Sequence, residues 1–171
     1  MAKTKTRRRY YRRKSWSTRL TSINVSQLVA PGTPVLIYRT LATNPAQDDN
    51  TVSQRFTVKN VNVQVEVSND NTTADKINLA QHYILYIPQG YTLTADTPYD
   101  HPEWIMAHRF IGSPVNTTDP GYAPLRITTR LARKLDTGDR VVYLFLASNS
   151  STTTQATINL NGVVKLNTKA N

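Results

Sequence analysis

Lysine and arginine side chains crowd the amino-terminal end of this chain. Nine of them fall within the first nineteen residues, and no Asp or Glu occurs before Asp48. The nine are Lys3, Lys5, Arg7, Arg8, Arg9, Arg12, Arg13, Lys14 and Arg19. Such side chains bind phosphates and release the counterions condensed on them, a gain that ignores sequence and falls steeply with salt. The segment therefore predicts an arm that binds nucleic acid.

Three aromatic residues lie among these cations. Tyr10 and Tyr11 separate two arginine runs, and Trp16 follows them. Aromatic rings stack on unpaired bases, which favours a single-stranded partner. The sequence leaves open a second interpretation, in which the rings hold the arm against the folded body.

The net charge of +10 belongs almost entirely to the arm. The chain has 21 basic and 11 acidic residues, so setting the nine aside leaves 12 basic against 11 acidic residues. A like-charged segment with little apolar surface is expected to stay disordered until a polyanion neutralises it. We therefore predict a disordered basic arm over residues 1–19 and a folded domain over residues 20–171.

The candidates for catalysis are few. Asp96, Asp100, His101 and Glu103 have the residue types of an oxygen and nitrogen metal site, but the surrounding Asp, Thr and Pro are ordinary turn formers. We interpret His82 and His108 as half-buried sheet residues rather than general bases. Phosphate-binding loops, nucleophile elbows and paired-histidine zinc motifs are absent from the sequence. The sequence thus predicts no enzyme, no cofactor and no metal; a metal-dependent enzyme using 96–103 is the remote alternative.

One basic pattern lies in the body of the chain. Arg126 and Arg130 fall on one face of a predicted strand, opposite the apolar Ile127 and its neighbours. If this strand lies on the side of the arm, these arginines extend the phosphate-binding surface. The alternative is that they form salt bridges, such as to Asp136 and Asp139.

Composition limits the remaining classes. The chain has no cysteine, which excludes disulfides and thiolate metal sites. No apolar run approaches the roughly 20 residues of a membrane span, so we expect no membrane insertion. The acid-free start lacks the apolar segment of a secretory signal. It is too densely charged for one apolar helical face, so a nuclear localisation signal is the better targeting interpretation than a mitochondrial transit peptide.

Beyond the arm, short strands separated by turn clusters predict an all-β sandwich or barrel. Alternation and apolar runs indicate eight strands, at 21–29, 34–42, 54–67, 79–88, 104–112, 124–133, 139–148 and 155–167. In the third, Val61, Val63, Val65 and Val67 mark one buried face, and Phe56 and Val58 share it only if a bulge lies near Lys59 and Asn60. Pro102 indicates a short helical turn.

Two strands are apolar on both faces. These are 83–87 and 141–147, and the second face must be covered by a neighbouring loop or by another subunit. The turn Asp136 to Asp139 predicts a hairpin between 124–133 and 139–148. Asn161 and Gly162 resemble a hairpin turn, but the parity of their apolar neighbours favours a continuous strand with Gly162 facing inward.

An Arg- and Tyr-rich arm joined to an eight-stranded sandwich without a catalytic set resembles the single jelly-roll coat proteins of small viruses. More narrowly, the arm KTKTRRRYYRRK and the segment HPEWIMAHRFIGSP, residues 101–114, resemble the capsid proteins of circular, Rep-encoding single-stranded DNA viruses, the circovirus-like group. The resemblance spans nearly the whole chain, which is short for a circovirus coat.

The resemblance implies a fold, an assembly and partners. The fold would be a single eight-stranded antiparallel jelly roll, and the assembly a T=1 icosahedral virion of sixty identical subunits. The arm would face inward on single-stranded nucleic acid, with circular DNA favoured, and would bind the host nuclear import machinery before assembly in the nucleus. The alternative is a non-viral nucleic-acid-binding β-barrel with a basic extension, in which basic and aromatic residues share one sheet face.

Overall fold

The computed structural model describes residues 16–44, 55–69, 77–111, 124–149, 153 and 155–170. Nine strands account for most of these residues. They are β1 (Ser17–Val29), β2 (Pro34–Thr43), β3 (Phe56–Asn69), β4 (Ile77–Ile87), β5 (Ile105–Ile111), β6 (Leu125–Thr129), β7 (Arg133–Leu135), β8 (Arg140–Asn149) and β9 (Ala156–Ala170). All eight strands indicated by the sequence are present. The sixth is divided into β6 and β7.

The strands form two antiparallel sheets. Sheet A has the order β1-β9-β3-β6, with β7 also paired to β3, and sheet B has the order β2-β8-β4-β5. Strands early in the chain pair with strands late in the chain. The pairs are β1 with β9, β2 with β8, β3 with β6 and β7, and β4 with β5. A long antiparallel double strand rolled into two facing four-stranded sheets is a jelly roll. The predicted fold class is confirmed.

The main core lies between the sheets. Val61, Val63 and Val65 of β3 are fully buried, as is Leu160 of β9, and they meet Tyr143 and Phe145 of β8. Strict alternation on β3 puts every second side chain into this layer. The predicted bulge is confirmed, since the β3–β9 register shifts between Lys59 and Asn62 and Asn60 has a φ of 52°.

A second apolar cluster covers the other face of sheet B. Leu85 of β4 and Leu144 of β8 are fully buried there, with Leu93, Tyr91 and Trp104 packed over them from the segment 88–104. That segment contains a one-turn helix, α1 (Thr97–Asp100), and the predicted helical turn, a 3-10 helix at Pro102–Trp104. The apolar second face of β4 and β8 is therefore covered by a loop of the same chain, so it is no evidence for assembly.

The predicted hairpin between 124–133 and 139–148 is wrong. The turn itself forms, with Asp139 N donating to Asp136 O at 3.1 Å and Gly138 at a φ of 82°. However, β7 pairs with β3 in sheet A and β8 pairs with β2 and β4 in sheet B. The turn carries the chain from one sheet to the other, because the apolar residues on either side of it belong to different layers.

The final strand is continuous through Asn161 and Gly162, as predicted. Gly162 pairs with Ile23 on one side and Val65 on the other. A Cβ at this position would collide with the Gln64 carbonyl oxygen and lie 2.9 Å from Val65 Cα. Glycine is therefore required here by close approach of the backbones.

Among the described residues, no helix is long and apolar enough to cross a membrane.

Candidate nucleic-acid interface

The outer face of sheet A is polar because its strands alternate. Val58, Leu135 and Leu166 point into the core, so their neighbours Lys59, Lys134 and Lys165 point away from it. Cross-strand partners share a face, and Thr57 is the partner of both Lys134 and Lys169. Four lysines from three strands are therefore placed on one surface.

Arg126 belongs to the same surface. Leu125 and Ile127 on either side of it are buried, and its cross-strand partner Gln64 is exposed. We call the set of Lys59, Lys134, Lys165, Lys169 and Arg126 the cationic face. Paired strands lie about 5 Å apart, and every second residue of a strand advances about 7 Å. The five positive charges are thus spread over a patch that several consecutive phosphates can contact.

The arm joins the sandwich at this face. Trp16, the first described residue, lies with its ring centroid 3.8 Å from Lys59 Nζ and 5.8 Å from Lys169 Nζ. The next residue, Ser17, begins β1 opposite Thr168 of β9. The chain therefore enters the fold beside two of the five cations of the cationic face.

Few carboxylates lie near the cationic face. Among the strands of sheet A, Glu66 carries the one carboxylate; it lies two residues from Gln64, the partner of Arg126, and away from the four lysines. At the margin, Asp136 is held by Arg55 through a 2.7 Å ion pair. Asp139 accepts hydrogen bonds from Tyr86 Oη at 2.7 Å and Gln89 N at 3.0 Å. The alternative in which Asp136 and Asp139 hold Arg126 and Arg130 is not what these contacts show.

The predicted site residues fall into three groups. Ten lie outside the described residues, namely Lys3, Lys5, Arg7, Arg8, Arg9, Tyr10, Tyr11, Arg12, Arg13 and Lys14. Trp16 and Arg126 come together with the cationic face. Arg19 lies in β1 opposite Leu166, on the parity of the buried Ile23, so it is exposed at the rim of the other face. Arg130 is exposed just past the end of β6.

Sequence reasoning missed the four lysines of the cationic face. Lys165 lies between the apolar Val164 and Leu166, and the three other lysines each have one apolar neighbour. That pattern was available. What was not available is the register that brings β3, β7 and β9 side by side, because β9 begins 87 positions after the end of β3 (156 − 69). Only the order of strands in the sheet unites the four.

The segment 96–103, which contains the acidic residues considered for a metal site, has a structural role. His101 stacks on Trp104 with ring centroids 3.8 Å apart, and its Nδ1 lies 3.1 Å from Glu103 Oε1. A backbone hydrogen bond of Glu103 and the one with His101 lower the pKa of the exposed Glu103 carboxyl. Tyr91 packs edge-on against both rings. Within the described part of the chain, no three His, Asp or Glu side chains are grouped to hold a metal ion.

The two strand histidines differ from each other. His82 is fully buried rather than half-buried, and its Nδ1 lies 2.7 Å from Tyr143 Oη. His108 is exposed and stacks on Tyr83 with ring centroids 4.4 Å apart. Burial, followed by the charges of His108 and Arg109, lowers the pKa of His82 to about 3. His82 is therefore neutral at physiological pH.

Comparisons with known proteins give similarities of fold. No protein-family model and no curated protein sequence matches the chain. Among solved structures, the chain is similar to maize chlorotic mottle virus, at 7% identity and a TM-score of 0.43, over 90% of this chain and 92% of that one. It is also similar to the infectious bursal disease virus VP2 subviral particle, at 10% identity and a TM-score of 0.36, over 91% of this chain and 33% of that one. A third similarity is to desmodium yellow mottle tymovirus, at 12% identity and a TM-score of 0.35, over 90% and 83%. The jelly-roll assignment comes independently from the strand order.

Proposed function

We propose that this chain is a viral capsid subunit, which assembles into a closed shell and packages single-stranded nucleic acid without catalytic turnover. The observation that carries the proposal is the join between arm and sandwich. Eight cations in residues 1–15 precede Trp16, whose ring lies against Lys59 of the cationic face at the edge of a jelly roll. In a protein with this arrangement, one side binds phosphates and the opposite side does not.

Charge arithmetic supports a role for the cationic face. In the proposed T=1 shell of sixty copies, the eight cations of residues 1–15 amount to about 480 positive charges (8 × 60), which balance a similar number of phosphates. A genome that encodes a replicase and a coat is longer than that. The five further cations per subunit on the cationic face would add about 300 charges, and two of them, Lys59 and Lys169, lie beside Trp16 where the arm joins the sheet.

The assembly part of the proposal is tested on purified protein. We expect electron microscopy and light scattering to show closed particles of uniform size, with nucleic acid copurifying. A product that stays monomeric at every salt concentration, with and without added nucleic acid, would overturn the proposal. A small, discrete complex with a short oligonucleotide would instead favour the nucleic-acid-binding β-barrel.

The packaging part is tested by deletion and by nuclease digestion. Because β1 begins at Ser17, removing residues 1–15 leaves the described strands intact, and we expect folded protein that has lost most of its bound nucleic acid. Nucleic acid released from particles should be degraded by DNase and should resist exonuclease, as a DNA circle does. RNase sensitivity would contradict the DNA part and leave the capsid part standing.

The same arm is proposed to act as a nuclear localisation signal. A fluorescent protein that carries residues 1–15 should accumulate in nuclei of a eukaryotic cell, since clustered Lys and Arg are the recognised signal. A matched fusion with Arg7, Arg8, Arg9, Arg12 and Arg13 changed to Gln should remain evenly distributed. Equal distribution of both fusions would remove nuclear import from the proposal.

A further inference from the structure

β1 is the outermost strand of sheet A. Its thirteen residues pair with β9 from Ser17 opposite Thr168 to Val29 opposite Ala156, without a shift in register. Within the described part of the chain, no strand pairs with the other edge of β1. Every second N–H and C=O of a long, regular strand is therefore directed away from the sheet, which is a template for another strand.

The three other edges carry devices that discourage pairing. β2 contains Pro34 and Arg39 and is bulged between Thr40 and Ala42. β6 has five residues, including Arg126. The edge of β5 is tied across the sandwich, because Arg109 Nη1 donates to Arg126 O at 3.0 Å. β1 has no proline, no lysine and no bulge, and Arg19 is its one charged residue.

Two leucines on β1 are exposed in a symmetrical pattern. Leu20 is 70% exposed and Leu28 is 62% exposed. Both lie on the outer face, opposite the parity of the buried Ile23 and Val29, and each is four residues from Asn24. In an antiparallel pair, directly opposed side chains share a face. A second β1 centred on Asn24 would therefore place Leu20 against Leu28 at both ends.

We infer that β1 pairs with β1 of a second copy of this chain, antiparallel and about a twofold axis through Asn24. In this register Ser22 faces Ser26 of the second copy, and Ile23 faces Val25 on the core side. Arg19 faces Val29 of the second copy, so no like charges meet. That matters because each copy carries a net charge of +10, and β1 has the lowest charge density of the four edge strands.

This inference deepens the proposed function and rests on it, because it names one contact between subunits of the shell. The two copies of sheet A would form a single sheet across the twofold axis. A single pair of strands buries less than the roughly 1,600 Å² of an ordinary stable interface. The pairing is therefore weak for two isolated subunits and gains strength from the other contacts of a closed particle.

Cysteine cross-linking tests the register, and the chain suits it because it has no cysteine of its own. Residues directly opposed in antiparallel strands have Cα atoms about 4.5–5.5 Å apart, within the range of a disulfide. We expect N24C particles under mild oxidation to give a covalent dimer on non-reducing gels. Particles of S22C alone should give none, since its two copies would lie about 13 Å apart along the strands. Particles assembled from S22C and S26C together should give dimers.

A charge pair provides a second test on the N24C background. Adding L20E should reduce the dimer yield several-fold, because it removes the apolar contact at both ends. Adding L28K to that variant should restore the yield, because opposite charges then meet across the strands. An equal yield in all three variants, or dimers from S22C alone, would overturn the inferred register.

The outcomes separate this inference from the proposed function. Uniform particles that contain nucleic acid but give no dimer with N24C, or with the mixture of S22C and S26C, would overturn the β1 contact and leave the capsid proposal intact. Failure of the unsubstituted chain to assemble at all would overturn the capsid proposal. In that case, absence of N24C dimers from concentrated protein in solution would overturn the contact as well.

Discussion

The ammonium nitrogen of Lys59 lies 3.8 Å from the centroid of the Trp16 ring, on the outer face of sheet A. Lys169 approaches the same ring at 5.8 Å. This contact favours the second interpretation of the aromatic residues for Trp16, in which a ring holds the end of the arm against the body. Tyr10 and Tyr11 lie outside the described residues, so base stacking stays a prediction for them.

The contact between Trp16 and Lys59 should be worth about 0.5–1 kcal/mol, the usual value for a cation over an exposed aromatic ring. We expect W16A and K59M each to lower the free energy of unfolding by that order, and the double variant to cost less than the sum. Denaturant unfolding of the four proteins measures the coupling. W16F, which keeps a ring, should recover at least half of the loss. Strictly additive effects would show that the ring and the ammonium do not interact.

The cationic face predicts a change in the salt dependence of binding. For single-stranded nucleic acid, each phosphate contact contributes about 0.7 to the slope of log K against log salt. The double variant K165Q and R126Q should therefore reduce the slope by about 1.4 and leave sequence preference unchanged. Fluorescence titration of the full chain with a labelled oligothymidylate, at several salt concentrations, measures the slope.

Arg39 offers a matched control for this experiment. It is exposed on β2, in the other sheet, and outside the cationic face. R39Q removes the same type of charge and should leave the slope unchanged. If R39Q lowers the slope as much per charge as the double variant does, binding depends on net charge alone and the face has no special role.

The fold could be predicted from the sequence because its signal is local. The alternation from Val61 to Val67 and the inward parity of Gly162 follow from side-chain period two, and both are confirmed. The hairpin at Asp136 to Asp139 failed for a different reason. The turn chemistry was right, but whether the strands on either side pair with each other depends on partners far away in the chain.

The site could be predicted only in part. Arg126 was identified from its own strand, and the structure places it on the outer face of sheet A, which also carries the four lysines. Lys59, Lys134, Lys165 and Lys169 join it through a register between strands distant in sequence, and no local pattern contains that information. The burial of His82 was also underestimated, because both faces of its strand are apolar in the sequence and its side chain lies on the face between the sheets, against Tyr143 and Phe145.

Because of His82, we expect the stability of the folded chain to fall at acid pH. Burial, followed by the charges of His108 and Arg109, lowers its pKa from 6.5 to about 3, and its Nε2 has no hydrogen-bond partner among the described residues. Between about pH 6.5 and pH 3, His82 is protonated in the unfolded chain and neutral in the folded chain. Stability is therefore complete above pH 6.5 and falls as the pH drops toward 3, by roughly 1.4 kcal/mol per pH unit at the steepest.

H82Q removes this titrating group and keeps a polar side chain near Tyr143. The variant should be less stable than the original chain at pH 7, and the difference should shrink as the pH falls from 6 to 4. Equilibrium unfolding at each pH measures it. H108Q removes one of the charges that lower the pKa of His82, so it should make the loss of stability at acid pH smaller without abolishing it. A constant difference between H82Q and the original chain would contradict the assignment.

Among the polar side chains at the turn between the sheets, we expect replacement of Asp139 to cause the largest loss of folding stability. The residue is buried, and its carboxylate accepts from Tyr86 Oη at 2.7 Å, Gln89 N at 3.0 Å and Asp136 N at 2.9 Å. Burial, followed by the hydrogen bond between Tyr86 Oη and the Asp139 carboxylate, raises the pKa of Tyr86 to about 12, so the phenol remains the donor.

D139N replaces one accepting oxygen with an NH₂ group that faces existing donors, which leaves a buried donor unsatisfied at a cost of about 1–3 kcal/mol. D136N breaks the exposed ion pair with Arg55 and should cost no more than about 1 kcal/mol. Thermal and denaturant unfolding of the two variants should thus separate them clearly. Equal losses would mean that the turn is held by its backbone hydrogen bonds, such as Gly138 N to Asn44 O at 2.8 Å, rather than by the Asp139 carboxylate.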